Sequence, residues 1–345
     1  MKSNLVLSPL SVAYAAATRL RTAAYNKGLL KTTKLPVPVI SIGNITVGGT
    51  GKTPLVARIC RLLASEGRKV CVLTRGYGRK NVAERVLVSD GLEVQARVED
   101  SGDEPLWLAE NLKGVAAVIC DPDRIAAGLW AIEHLGSNVF VLDDGFQHLQ
   151  LARDLNLLTI DASNPWGGGQ LLPSGRLRET PRGAARADCV IITRADADSD
   201  THAVKTKLQN FIGSRPVFTS RMRTTGFREL SGQRLESGVA IAQPLAAFCA
   251  VGNPDSFFEH LRKEGLPLAY THAFPDHLQY QQTDVTRLSD EAKRAGAASL
   301  ITTAKDAVKL RELEFSLPCY VLEIEISIDE EEKLRDLLRT KLSLS

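Results

Sequence analysis

The stretch that decides the fold is Val37-Pro38-Val39-Ile40-Ser41-Ile42-Gly43-Asn44, followed by Gly48-Gly49-Thr50-Gly51-Lys52-Thr53-Pro54. The apolar run reads as a buried strand. Gly43-Asn44 opens a loop. Beyond Pro54, the apolar positions Leu55, Val56, Ile59, Leu62 and Leu63 recur at helical spacing until Gly67 closes the segment. A strand, a glycine loop ending Gly-Lys-Thr and a helix form the context of a phosphate-binding loop. Backbone N–H groups of Gly48, Gly49, Thr50 and Gly51 would wrap phosphates, Lys52 would reach the β and γ oxygens, and the Thr53 hydroxyl would ligate Mg²⁺. Pro54 is tolerated because the first helical turn has no N–H partner to lose. The strict pattern wants glycine where Thr46 stands, so the loop is a variant. An ordinary glycine turn is the bland alternative.

Working outward, further strands are expected at Lys69–Thr74, Val115–Cys120, Val139–Leu142, Leu155–Ile160 and Cys189–Thr193. Several alternate with helical patterns, such as 105–112 and 124–135. That alternation predicts an α/β fold of the P-loop NTPase kind, a mostly parallel sheet flanked by helices. Ligands bind such sheets at the carboxyl ends of the strands. The strand Val139–Leu142 runs into Asp143-Asp144, where one carboxylate could hold Mg²⁺ and the other would be spare. The alternative is a polar turn with a capping Asp.

Three more loops stand at expected element ends. Arg75-Gly76-Tyr77-Gly78-Arg79 places Arg75 and Arg79 where an anionic group would fit, or forms a solvated basic turn. Ser101-Gly102-Asp103-Glu104-Pro105 makes Asp103 either a helix N-cap or a carboxylate that accepts a substrate hydroxyl proton. Leu172-Pro173-Ser174-Gly175-Arg176-Leu177-Arg178 continues to Arg182 and Arg186, and these arginines either grip a substrate phosphate or are solvated.

Near residue 220 the pattern restarts. Phe248–Pro254 reads as a strand and turn, then a helix to about 264, with strands at Leu300–Thr303 and Tyr320–Ile326. This predicts a segment 1–34, a P-loop domain over 35–220 and a second, smaller α/β domain over 221–345. Asp276 beside His277 offers an acid–base pair, although such a His is as readily structural.

Across 345 residues the net charge is +3, yet residues 1–65 hold nine of the 43 basic residues and no acid. The rest carries 34 basic against 40 acidic residues. A basic N-terminus on an acidic body suggests an anionic surface as partner. Ser3 to Thr18 is uncharged over 16 residues, short for a span. It predicts a helix after Pro9, with Leu10, Tyr14, Ala17 and Ala24 near one face and Arg19, Arg21, Lys27 and Lys31 as cationic flanks. That helix either lies in the headgroup layer of an anionic bilayer or packs on the domain with its charges solvated. Six scattered cysteines, without a C-x-x-C, suit a reducing compartment and argue against structural zinc. Nucleic acid is disfavoured because no aromatic stacking platform is visible. No obligate protein partner is evident.

Five motifs in order carry a family resemblance: Ser41–Asn44 through Gly48–Pro54, Thr74–Arg79, Gly102–Pro105, Leu142–His148 and Phe274–His277. The chain resembles the tetraacyldisaccharide 4′-kinases of lipid A biosynthesis from about residue 5 to about 325, and Thr46 is in keeping with that family's loop. The resemblance implies transfer of the ATP γ-phosphate to the 4′-hydroxyl of a tetraacylated glucosamine disaccharide 1-phosphate. The site would lie at the cytoplasmic face of a Gram-negative inner membrane, with the N-terminal helix on the membrane surface. It implies Asp103 as catalytic base with His277 assisting and Asp144 orienting that His. Thr53 and Asp143 would hold Mg²⁺, with Glu104 a further metal partner, while Asn44, Arg75, Arg79, Arg176 and Arg178 would contact substrate. The competing reading is a nucleotide-driven switch or delivery ATPase, since Cys189–Thr193 running into Arg194-Ala195-Asp196 is similar to a base-recognition loop. A third reading is a non-catalytic membrane adaptor that retains a nucleotide fold.

Overall fold

A computed structural model of the chain describes residues 3–195, 200–235 and 241–343. Among these residues twelve strands form one sheet. They are β1 (Val39–Asn44), β2 (Val70–Thr74), β3 (Val86–Ser89), β4 (Ala116–Cys120), β5 (Val139–Asp143), β6 (Leu155–Asp161), β7 (Cys189–Thr193), β8 (Val217–Glu229), β9 (Leu245–Cys249), β10 (Leu268–Ala273), β11 (Ser299–Thr303) and β12 (Cys319–Ile328). Their order is β10-β9-β11-β12-β8-β7-β6-β1-β5-β2-β4-β3. Every pairing is parallel except β3 with β4 and β8 with β12.

The strands read from apolar runs are present within one or two residues of their expected ends, except that β9 starts at Leu245, three residues before the expected Phe248. The phosphate-loop strand β1 lies between β5 and β6, with Ile42 opposite Asp143 and Asn44 opposite Thr159. This register brings the glycine loop and the two aspartates to the same edge of the sheet. Strands β3, β8 and β10 carried no clear sequence signal. β8 contains Arg221, Arg223 and Arg228 and is exposed at alternate residues, while β3 and β10 sit at the sheet edges.

β8 carries the sheet past residue 220. Its first residues pair with β7 in parallel, and Ser220 to Glu229 pair antiparallel with β12. The antiparallel ribbon joins two parallel groups of strands whose carboxyl ends open on one cleft. Beneath the first group, the helix Lys52–Ser65 buries Leu55, Val56, Ile59, Leu62 and Leu63, the face its spacing predicts. The C-terminal helix Glu331–Ser343 returns to that same core through Leu334, Leu338 and Leu342. Around β9 and β11 two further cores form, one centred on Phe248, Leu300 and Leu310, the other on Phe258, Leu261 and Ile301.

The N-terminal helix departs from expectation. It runs Ser3–Asn26, starting before Pro9 rather than after it. Ser11, Tyr14, Ala15, Thr18, Thr22 and Tyr25 form the stripe turned toward the protein, one side chain every three or four residues. Ser11 Oγ donates to the Leu171 carbonyl at 3.1 Å, and Arg21 donates to the Gln147 carbonyl at 3.1 Å. Leu10 and Ala17, expected beside Tyr14 and Ala24, point instead to solvent with Val12 and Leu20. The docking stripe is built from small and hydroxyl-bearing residues, which a search for an apolar face passes over. No helix among the described residues is long and apolar enough to cross a membrane.

Candidate active site

β1 ends in Asn44, and the loop Ile45–Gly51 then turns into the helix that starts at Lys52. Gly51 caps that helix at φ 75°, a left-handed conformation that glycine adopts without a Cβ penalty. Asn44 is fully buried beneath the loop. Its side-chain amide donates to Thr50 Oγ1 at 3.0 Å and to Thr46 Oγ1 at 3.4 Å, and Thr50 Oγ1 lies 3.3 Å from Thr159 Oγ1. Asn44 therefore holds the loop from below and does not face a substrate, which corrects that part of the expected contact set. Thr46 fills the position of the missing glycine by taking part in this network.

Lys52 and Asp144 meet at 3.5 Å. Asp144, at φ 55°, follows the last residue of β5 and also accepts from Arg178 Nη1 at 2.6 Å. Burial would push its carboxyl up, but Lys52 and Arg178 outweigh burial and hold it lower. Arg178 is thus committed to Asp144. Asp144 contacts Lys52 and Arg178 rather than His277, so it does not orient that ring.

Asp143 is buried, accepts from Thr74 Oγ1 at 3.4 Å, and its Oδ1 has no hydrogen-bond partner among the described residues. Burial, Glu104 and Asp144 push its carboxyl well above the usual carboxylate range. A buried carboxylate oxygen without a donor, facing repulsive neighbours, is what a divalent cation would satisfy. Thr53, in the first turn of the helix, lines the same cleft. No cluster of three metal-ligating acids, His or Cys occurs among the described residues. A Mg²⁺ ion that takes part of its shell from phosphate oxygens and water needs no such cluster. Asp143 and Thr53 fit that role. Glu104 does not point freely at this position, because its Oε1 accepts from Lys305 Nζ at 3.1 Å.

Asp103 opens the helix Asp103–Asn111, and the N-cap is Gly102. The Asp103 carboxylate is only 3% exposed and accepts from the Glu104 backbone N–H at 2.9 Å. His277 Nδ1 donates to it at 3.0 and 3.1 Å, and Lys309 Nζ lies 3.3 Å away. Burial opposes ionisation, but His277, Lys305 and Lys309 hold this carboxyl far below its ordinary value. The hydrogen bond to Asp103 raises the His277 imidazole above its ordinary value against the opposing effect of burial. His277 sits at φ 62°, an uncommon conformation for a residue with a Cβ. Its ring is 35% exposed and lines a cleft of about 850 Å³ that also receives Lys52, Thr53, Asp143 and Asp144.

The expected substrate arginines divide. Arg75 and Arg176 are exposed and line the cleft, where Arg176 Nε donates to the Val47 carbonyl at 3.3 Å. Arg79 is buried and donates to the Val82 carbonyl at 2.9 Å, so it braces its own loop instead of meeting a ligand. Arg194 donates to the Gly49 carbonyl at 2.8 Å and pairs with Asp161. Asp196, the last residue of the suggested base-recognition loop, lies outside the described residues.

Sequence reasoning passed over Lys305 and Lys309. Both follow the end of β11, so the strand-end rule applied to the first half would have found them in the second. It also passed over Gly252, which follows β9. A Cβ there would stand 2.6 Å from Gly49 N and 3.2 Å from Gly48 Cα.

A P-loop, a strand-end Asp pair and an Asp–His pair contributed by distant parts of the chain now share one cleft. A sequence profile of the LpxK family, tetraacyldisaccharide-1-P 4′-kinase, matches residues 3–343. The chain belongs to this family. It is 46% identical over 306 residues to the tetraacyldisaccharide 4′-kinase of Geobacter metallireducens, covering 88% of each chain. It is 39% identical over 347 residues to that of Pelobacter propionicus, covering 98% of this chain and 92% of the relative. Among solved structures, the crystal structure of LpxK from Aquifex aeolicus in complex with ATP superposes with a TM-score of 0.78 at 32% identity, over 98% of this chain and 99% of that one. Membership makes the chain a phosphotransferase with the P-loop fold its first motif predicted.

Proposed function

We propose that this chain transfers the γ-phosphate of ATP to the 4′-hydroxyl of a tetraacylated glucosamine disaccharide 1-phosphate, the step that yields lipid IV-A. The observation that carries the reading is the 3.0 Å contact between buried Asp103 and His277, whose ring lines the same cleft as the phosphate loop. Family membership favours this reading over the switch or delivery ATPase.

The chain's residues divide the work. The backbone of Gly48 to Gly51 cradles phosphate. Lys52, parked on Asp144 at 3.5 Å, is placed to exchange that partner for β and γ oxygens. Thr53 and Asp143 would hold Mg²⁺, which when bound would supply charge neutralisation at the phosphates. Asp103 and His277 act as one unit in taking the acceptor proton: Asp103 fixes the ring through Nδ1, and the exposed edge of His277 meets the hydroxyl. Phosphoryl transfer then needs no covalent enzyme intermediate, only positioning and electrostatics. Arg75 and Arg176 supply positive charge for the lipid's phosphate.

The work is shared by two lobes that divide near residue 220, behind the segment 1–34, and the C-terminal helix Glu331–Ser343 returns to pack on the first of them. The exposed Leu10, Val12 and Leu20 lie among Arg19, Arg21 and Lys27. Such a face suits the headgroup layer of an anionic leaflet and a peripheral position on the cytoplasmic side of the inner membrane.

The deciding experiment supplies Mg²⁺, γ-labelled ATP and the acylated disaccharide 1-phosphate in detergent micelles, with Asp103→Ala in parallel. Label should enter the lipid, and kcat should fall by about 10²–10⁴ in the variant while the KM for ATP changes little. Label released only as free phosphate would defeat the kinase reading. Unchanged turnover in the variant would defeat the role given to Asp103.

A further inference from the structure

Four ionisable side chains close a ring at the far wall of the cleft. His277 Nδ1 meets Asp103 Oδ1 at 3.0 Å, and His277 Nε2 lies 3.8 Å from Asp276 Oδ2. Asp276 Oδ1 is 3.6 Å from Lys305 Nζ, which is itself 3.7 Å from Asp103 Oδ2. Lys305 further binds Glu104 at 3.1 Å. Lys305 therefore touches two acids at the start of one helix in the first half and one acid from the loop after β10 in the second.

Two lysines stand beside Asp103, and their settings differ. Lys309 is 1% exposed, pairs with Asp103 and Asp306, and belongs to a buried frame in which Asp306 also accepts from Tyr280 and Thr303. That frame gives Asp103 one buried cation, which Asp306 shares. Lys305 lines the cleft instead. Its distinguishing contact is Asp276, the one acid near the outward nitrogen of His277. At 3.8 Å, that acid is beyond hydrogen-bond range of Nε2. If Asp276 moved closer it would take the Nε2 position that the acceptor hydroxyl requires.

We propose that Lys305 is a positioning residue for phosphoryl transfer: by holding Asp276 and Glu104 across the cleft, it keeps His277 Nε2 open to the acceptor. The inference rests on the kinase reading of this site. It predicts that Lys305 acts on the turnover step and not on nucleotide binding, because its partners are acids and the phosphate loop already has Lys52. It also predicts that another cation of similar reach can substitute, since the function is ion pairing.

The test compares wild type, Lys305→Met, Lys305→Gln and Lys305→Arg in the label-transfer assay, with thermal melting of each. Wild-type transfer of label into lipid stands as a separate check on the kinase reading, independent of any Lys305 result. Each variant is assayed well below its own melting temperature, because without Lys305 the buried Asp103 keeps only Lys309, which Asp306 shares. The kcat of Lys305→Met and Lys305→Gln should fall by about 10–100-fold while the KM for ATP stays within about twofold. Lys305→Arg should recover most of the lost kcat. The proposal is overturned if either neutral variant keeps its kcat within about twofold, if the loss appears in the KM for ATP, or if arginine restores nothing. A rise in the KM for ATP would instead make Lys305 a direct phosphate ligand.

Discussion

Asp103 shows how much one side chain's role depends on what surrounds it. In sequence it has the features of an N-cap: a small polar residue ahead of Glu104 and Pro105. In the folded chain Gly102 occupies the cap, and the carboxylate turns to His277 and Lys309. The pairing has a pH signature. The His277 imidazole is raised in the folded state above its ordinary 6.5. Its contribution to stability is therefore fully present below about 6.5 and is lost as pH rises through the higher folded value. The partner carboxylate, lowered by folding, loses its contribution only in strong acid, outside that window. Denaturant midpoints measured from about pH 5 to about pH 9 should show wild type losing its advantage over His277→Gln as pH rises. An advantage that does not change with pH would remove the charged pair from the account.

At the scale of elements, the N-terminal helix has one stripe packed on the protein and an exposed side. Its Ser11 hydroxyl is tied to the loop around Leu171 and its Arg21 to Gln147, leaving Leu10, Val12 and Leu20 outside. Burying three such side chains in a headgroup layer contributes several kcal/mol, about 1.5–3 per side chain when burial is complete. Replacing all three with Glu should cut binding to anionic vesicles by at least about tenfold, read by co-sedimentation, without moving the melting temperature of the body. Equal sedimentation of variant and wild type would return the helix to the reading of a solvated basic segment. β8 makes a similar point: its arginine-rich alternation hid a strand, because an antiparallel ribbon exposed at alternate residues needs few apolar side chains.

For the molecule as a whole, the two strand groups meet over the phosphate loop. The loop after β9 lies so close to Gly48 and Gly49 that Gly252 leaves no room for a methyl group. Gly252→Ala should displace one backbone or the other. We expect it to raise the KM for ATP and lower kcat together, by about tenfold or more. Wild-type kinetics in Gly252→Ala would show that the closeness of the two loops is not needed in turnover.

Much of the first half was legible before any coordinates. Continuous apolar runs marked β1, β2, β4, β5, β6 and β7, because strands buried on both faces must be apolar throughout. Glycines and a lysine between strand and helix marked the phosphate loop, since its chemistry depends on backbone and local order. Asp143 followed from its place at a strand end. What the tertiary structure decided were relations between residues far apart in the chain. Asn44 and Arg79 proved to be buried braces, Arg178 committed itself to Asp144, and Lys305 came to stand between Glu104 and Asp276. Local patterning reports whether a residue is buried or capped nearby. The partner that tunes a carboxylate across 174 positions, as His277 does for Asp103, is set only by how the sheet brings two strand ends together.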